Sequence, residues 1–110
     1  MDTRLIGQAQ AYQQQMQAYM VQKEQLSLQL MEISKAMEDL EKTKEAEVYR
    51  ISGTVLIKTR KADAVKDLKE KQELIKMRLA QIDKKEKGIK DKVDDLRERL
   101  TKPAGGGGAG

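Results

Sequence analysis

Two blocks of this 110-residue chain carry apolar residues at alternating spacings of four and three, and a short patch without that spacing separates them. The first block runs Leu5, Ala9, Tyr12, Met16, Tyr19, Lys23, Leu26, Leu30, Ile33, Met37, Leu40 and Lys44, with ten of the twelve apolar or aromatic. The second runs Val65, Leu68, Gln72, Ile75, Leu79, Ile82, Glu86, Ile89, Val93, Leu96 and Leu100, with nine of eleven apolar. A mean period of 3.5 residues keeps one seam of a helix turned toward a partner helix over its whole length, the coiled-coil signature. Disorder, which the low hydropathy would otherwise favour, does not produce such regular spacing.

The intervening patch, residues 46–59, alternates β-branched and other residues around Ser52-Gly53, which reads as the two-residue turn of a β-hairpin. Around that turn Tyr49 faces Leu56 and Val48 faces Ile57 on opposite sides, so both faces of the ribbon are largely apolar. The fold class expected is mainly α: a long antiparallel two-helix coiled coil with one central β-hairpin. Its divisions are an N-terminal helix over 1–46, the hairpin over 47–59, a C-terminal helix over 60–102 and a flexible Gly-rich tail over 103–110. Each arm of about 40 helical residues would reach roughly 60 Å. An isolated two-stranded ribbon is marginally stable and exposes unpaired edges, so several copies are expected to join through their hairpins into an oligomer.

Antiparallel packing sets a positions of one helix against d positions of the other, and pairs whose numbers sum to 105 satisfy this throughout: Leu5 with Leu100, Leu26 with Leu79, Leu30 with Ile75, Leu40 with Val65. Lys23, Gln72 and Glu86 interrupt the seam and read as register-setting residues. In this pairing Glu86 lies across from Tyr19, whose hydroxyl could donate to the carboxylate. Gly88 costs about 1 kcal/mol relative to Ala in a helix interior, which softens the outer half of the second helix.

Composition narrows the chemistry. The chain has neither Cys nor His, which removes thiolate nucleophiles, disulfides, imidazole bases and the usual zinc ligands. It has no phosphate-binding loop, dinucleotide fingerprint or nucleophile elbow, so an enzyme is not expected, nor a cofactor or metal. No run of 18 apolar residues could span a membrane, and the N-terminus lacks the pattern of a signal peptide. The absence of Cys fits a reducing cytosol.

Charge is uneven. Residues 1–57 hold six Lys or Arg against eight Asp or Glu, and residues 58–110 sixteen against ten. Opposite signs favour pairing of the two helices across the seam edges. The basic residues of the second helix are interleaved with acids, and no aromatic lies among them to stack on a base, so nucleic-acid binding is not expected. By contrast, residues 5–22 carry no charge at all in a chain that is 36% charged. Ile6, Met20 and Val21 there fall off the seam. Exposed apolar groups in an uncharged stretch mark an interaction surface, where Met side chains adapt to irregular partners, or else a face that packs against a neighbouring helix in an oligomer.

The run Glu47-Val48-Tyr49-Arg50-Ile51-Ser52-Gly53-Thr54-Val55-Leu56-Ile57-Lys58, flanked by Gln-rich and Lys/Glu-rich heptad helices, closely resembles the beta class of the prefoldin family over roughly residues 5–100. One hairpin, not two, places it with the beta class and not the alpha class. The resemblance implies a cytoplasmic hetero-hexamer of alpha-class and beta-class subunits, an ATP-independent holdase. Such a chaperone captures unfolded polypeptides at its coiled-coil tips and delivers them to a group II chaperonin. It implies subunit assembly by Val48, Tyr49, Ile51, Val55, Leu56 and Ile57. Client contact would fall to Leu5, Ile6, Met16, Tyr19, Met20, Val21, Leu96 and Leu100. The alternative is a structural coiled-coil scaffold that binds a folded partner at a defined site.

Overall fold

The computed structural model describes residues 3–101, so the tail over 103–110 lies outside the described residues. Four elements follow one another: α1 (Thr3–Lys42), β1 (Glu47–Ser52), β2 (Val55–Arg60) and α2 (Lys61–Thr101). The two long helices and single antiparallel hairpin are the fold class that the heptads and the interrupting patch predict. The chain divides into two compact units, each containing a stretch of both helices. Among the described residues the terminal unit comprises 3–23 and 80–101, and the hairpin unit 24–79.

Burial follows the heptads. Along α1, Ala9, Tyr12, Met16, Tyr19, Lys23, Leu26, Leu30, Ile33, Met37 and Leu40 are half-buried, and nearly every residue between them is exposed. Along α2 the buried side chains are Ile75, Ile82, Ile89 and Leu96, seven residues apart at each step. Val65, Leu68, Gln72, Leu79, Glu86 and Val93 flank them, half-buried. Two helices alone enclose a line of side chains one residue wide, so the core is the line of Ile75, Ile82, Ile89 and Leu96, the d positions of α2. Burying each such side chain is worth roughly 1.5–3 kcal/mol, and this seam, more than helix propensity, holds the helices.

α1 stops where the seam runs out. After Leu40 the next heptad position is the charged, exposed Lys44. The last carbonyls are satisfied locally: the Thr43 amide donates to the Leu40 carbonyl at 3.2 Å and its hydroxyl to the Asp39 carbonyl at 3.1 Å. From the far side of the hairpin the Lys61 ammonium donates to the Thr43 carbonyl at 2.7 Å, placing a cation at the negative end of the α1 dipole. β2 passes into α2 with no intervening loop, and the Lys61 amide, one of the orphan donors of that helix start, reaches the Ala46 carbonyl at 2.8 Å.

The hairpin turn differs from the sequence expectation. It is Gly53-Thr54, one residue later than Ser52-Gly53, and Ser52 pairs with Val55. Tyr49 therefore faces Lys58, not Leu56; Ile51 faces Leu56; and Val48 faces Thr59, not Ile57. Gly53 has φ of +60°, and Thr54 does not have positive φ. Positive φ at the first central residue alone is the type II′ turn, which puts Gly first, whereas a Ser52-Gly53 turn would put Ser there. Moving the turn by one residue moves the pairing by two, so every side chain keeps its face. Tyr49, Ile51 and Leu56 still share one face, and Val48, Val55 and Ile57 the other.

Candidate functional site

Two surfaces stand out, one in each unit. In the hairpin unit, the strands lift Tyr49, Ile51, Val55, Leu56 and Ile57 into solvent, with Ile51 75% exposed. Val48, near the base of the ribbon, is half-buried. It lines a groove of about 350 Å³ together with Ala36 and Leu40 of α1 and Ala64 and Leu68 of α2. Three charges of the ribbon are partnered: Lys58 meets Glu47 at 2.7 Å, and Arg50 meets Asp67 of α2 at 3.6 Å. The outer part of the ribbon is left apolar on both faces, with two unpaired edges among the described residues. Exposed apolar faces beside free edges are the features that bring further strands.

In the terminal unit the helices part around a groove of about 530 Å³ lined by Ala9, Gln13 and Met16 of α1 and Val93, Leu96, Arg97, Leu100 and Thr101 of α2. Ala9 contributes a small side chain where other seam positions carry large ones. Met20 is 61% exposed and Val21 half exposed on the outer side of α1, as their off-seam positions predict. Leu5, Ile6, Met16 and Tyr19 are half-buried, so Ile6 is less open than its sequence position suggests. Leu100 is exposed at the rim, while Leu96 is 4% exposed. Leu96 is thus a core residue that forms the groove floor, and its burial leaves little of it to touch anything beyond the helices.

Below this groove, Lys23 occupies a seam position and pairs across it with Glu86 at 2.8 Å and Asp83 at 3.0 Å. Lys23, not Tyr19, is the partner the structure gives Glu86. The Glu86 side chain is the more enclosed of the pair, and its hydrogen bond, with that of Asp83, raises the Lys23 pKa above the ordinary 10.5. A cation between two carboxylates across the seam suits a single pairing of the helices, the role that a polar a-position residue has in coiled coils. Among the described residues no cluster of carboxylates could hold a metal ion, and no helix is long and apolar enough to cross a membrane.

Sequence reasoning did not single out Leu28, Met31, Leu74 and Met77, all exposed on the helices of the hairpin unit. Their signal was available: each is a large apolar residue outside the a and d positions.

The sequence fits the Prefoldin subunit family over residues 3–106. It is similar to the prefoldin subunit beta of Thermococcus onnurineus, 39% identical over 97 residues that cover 87% of this chain and 84% of that protein. The prefoldin subunit beta of Pyrococcus furiosus is 37% identical, with 87% and 83% covered. Among solved structures, the prefoldin beta subunit from Thermococcus strain KS-1 matches with a TM-score of 0.82 at 35% identity, covering 89% of this chain and 87% of that one. The beta2 subunit from that strain shares the fold with a TM-score of 0.71 at 20% identity, over 79% of this chain and 94% of that one. With one hairpin between two heptad helices, and matches of this extent in both sequence and structure, the chain belongs to the prefoldin subunit family, in its beta class.

Proposed function

We propose that this chain is one subunit of an ATP-independent holdase that captures unfolded polypeptides at the open end of its coiled coil. Prefoldin subunits form a chaperone family and not an enzyme family. The observation that carries the finer reading is the pairing, in one unit, of an apolar groove of about 530 Å³ with a run of 18 uncharged residues, Leu5 to Gln22. An unfolded chain offers apolar side chains in no fixed arrangement. A receptor for it needs apolar area that adapts, and few charges that must lose water on contact. Met16, Met20, Val21, Leu5, Ile6, Tyr19 and Leu100 supply such area, and the glutamines between them carry no charge.

The energetics of one arm are modest. Each exposed apolar side chain fully covered by client yields roughly 1.5–3 kcal/mol, while ordering each client residue costs about 1–2 kcal/mol. A single arm therefore holds a client weakly, and several arms held on one body hold it well by raising the effective concentration of the next contact. Assembly and capture are in this sense one function. The assembly residues are Val48, Tyr49, Ile51, Val55, Leu56 and Ile57, with an alpha-class subunit and further beta copies as partners in a hexamer. Delivery to a group II chaperonin in the cytoplasm completes the reading.

The test is suppression of aggregation when a chemically unfolded protein is diluted into this chain, with and without an alpha-class subunit and without nucleotide. Light scattering that stays low in the presence of the assembled subunits supports the holdase. Scattering that rises as in buffer alone under both conditions overturns it and favours a scaffold that binds a folded partner.

A further inference from the structure

We propose that Met20 is a reversible oxidation site through which peroxide lowers the hold of this chain on unfolded clients. The inference rests on the reading that the terminal unit is the client surface. The chain has six methionines and neither Cys nor Trp, so its thioethers are the side chains that peroxide oxidises readily. Among the described residues Met20, Met31 and Met77 are 61%, 68% and 59% exposed, while Met16 and Met37 are half-buried in the seam. An oxidant dissolved in water reaches the exposed three first. Of those three, Met20 alone belongs to the terminal unit, and Met31 and Met77 lie in the hairpin unit.

The position of Met20 gives that reaction a consequence. Met16 lines the groove of about 530 Å³, and Met20, four residues on, stands beside it on the helix surface. Met20 also falls seven residues after Gln13, another lining residue, so it shares the groove's flank of the seam. Among the described residues of the terminal unit, the exposed large hydrophobic side chains are Met20, Val21 and Leu100, and Met20 is the most exposed. In the reaction the sulfur lone pair attacks one oxygen of hydrogen peroxide and the O–O bond breaks. The departing hydroxide takes the proton of the transferred oxygen and leaves as water, so sulfur loses two electrons and peroxide is reduced. The sulfoxide is polar, and its oxygen must lose water at each client contact where the thioether lost none. A dithiol, acting through the sulfoxide reductases specific for each epimer, restores the thioether and yields a disulfide and water. Because Met20 stands off the seam, its oxidation leaves the pairing of the helices in place. Every copy in an assembly carries the same site, so a small loss on each arm compounds across the arms.

The test treats the full chain with hydrogen peroxide, removes the peroxide with catalase, and then adds an untreated alpha-class subunit. Peptide mass spectrometry reads the sulfoxide at each methionine, and sizing reads the assembly. Light scattering reads protection of a diluted, chemically unfolded protein. With Met20 oxidised, the concentration that gives half-maximal protection should rise about fivefold at unchanged size, and return after treatment with both sulfoxide reductases and dithiothreitol. Met20→Leu keeps the apolar area without the sulfur and should hold its protection through the same treatment. The double variant Met31→Leu, Met77→Leu should lose protection as the natural chain does. Full protection by a natural chain whose Met20 is sulfoxide overturns the inference and leaves client capture standing. An equal loss from Met20→Leu, or a smaller assembly after oxidation, overturns Met20 as the site. An untreated assembly that gives no protection overturns client capture and the inference with it.

Discussion

Lys23 and Glu86 meet across the seam with their charged atoms 2.8 Å apart, in a stretch where the neighbouring seam residues are apolar. The Glu86 carboxylate is the more enclosed end of this pair, so its partner matters more to it than a surface cation would. Replacing Lys23 by Met leaves that carboxylate without the ammonium, while replacing both residues by Met and Leu continues the apolar line of Met16 and Val93. Glu86→Leu should therefore raise the melting temperature more in the Lys23→Met background than in the natural chain. Equal shifts in the two backgrounds, followed by circular dichroism, would show that the pair is uncoupled. The double variant also loses its register marker and should give more than one helix pairing when probed by crosslinking.

The same pair predicts a pH dependence. Hydrogen bonds to Glu86 first, and then to Asp83, raise the Lys23 pKa above 10.5. A raised folded-state pKa contributes stability that is fully present below the unfolded value and is lost as pH rises through the folded one. The coupling measured between Lys23 and Glu86 should thus hold from neutral pH up to that ordinary lysine value and shrink above it. Coupling that fades already near neutral pH would mean that the ion pair is not its source.

The buried line on α2 sets the next expectation. Ile82 is buried, and Leu100, on the other heptad line of the seam, is 37% exposed. Ile82→Ala removes a seam side chain and leaves a gap, at a cost of about 2–4 kcal/mol, while Leu100→Ala should cost less than about 1 kcal/mol. Urea denaturation followed by helical signal compares the two. Similar midpoints would deny that the d positions of α2 are the core.

Much of this was legible before any coordinates, because a heptad repeat is a statement about which side chains are buried. Ala9 through Leu40 and Val65 through Leu96 behave as their spacing requires. The hairpin was legible as an element, but not its turn: Ser52-Gly53 and Gly53-Thr54 are both reasonable two-residue turns, and the choice rests on which central residue takes positive φ. Glu86 was legible as a polar seam residue, yet its partner was not, since the long Lys23 side chain can reach a turn along the seam where Tyr19 sits nearer by register. The open-end groove escaped the sequence for a different reason. A gap between helices depends on the sizes of several facing side chains at once, Ala9 among them, and no single spacing announces it.

Gly53 in the hairpin turn and Gly88 in α2 should respond in opposite senses. Gly53 holds φ of +60°, so an added Cβ strains the backbone even though nothing lies within 4 Å of it. Gly53→Ala should destabilise the hairpin by about 1–2 kcal/mol. Gly88 lies in the interior of α2 with open space around its missing Cβ, and Gly88→Ala should stabilise by about 1 kcal/mol. Thermal melts of the two variants against the natural chain separate these outcomes. A stabilising Gly53→Ala would contradict the type II′ turn.

If client capture belongs to the terminal unit and assembly to the hairpin unit, the two functions should come apart under mutation. Met20 and Val21 are exposed, off the seam and within the uncharged run, so the double change to Glu adds charge to that surface without touching a core contact. Assembly size should stay as in the natural chain, while protection of an unfolding protein from aggregation drops several-fold, because two carboxylates must now lose water for each client contact. Ile51→Glu places a charge on the apolar outer part of the ribbon, where joining strands would bury it. That variant should remain helical by circular dichroism but run at a smaller size, and it should lose protection as well, since separate arms hold clients weakly. The informative comparison is sizing and light scattering on the same two samples. Loss of assembly from the Met20 and Val21 change, with a normal assembly from Ile51→Glu, would exchange the roles assigned to the two surfaces.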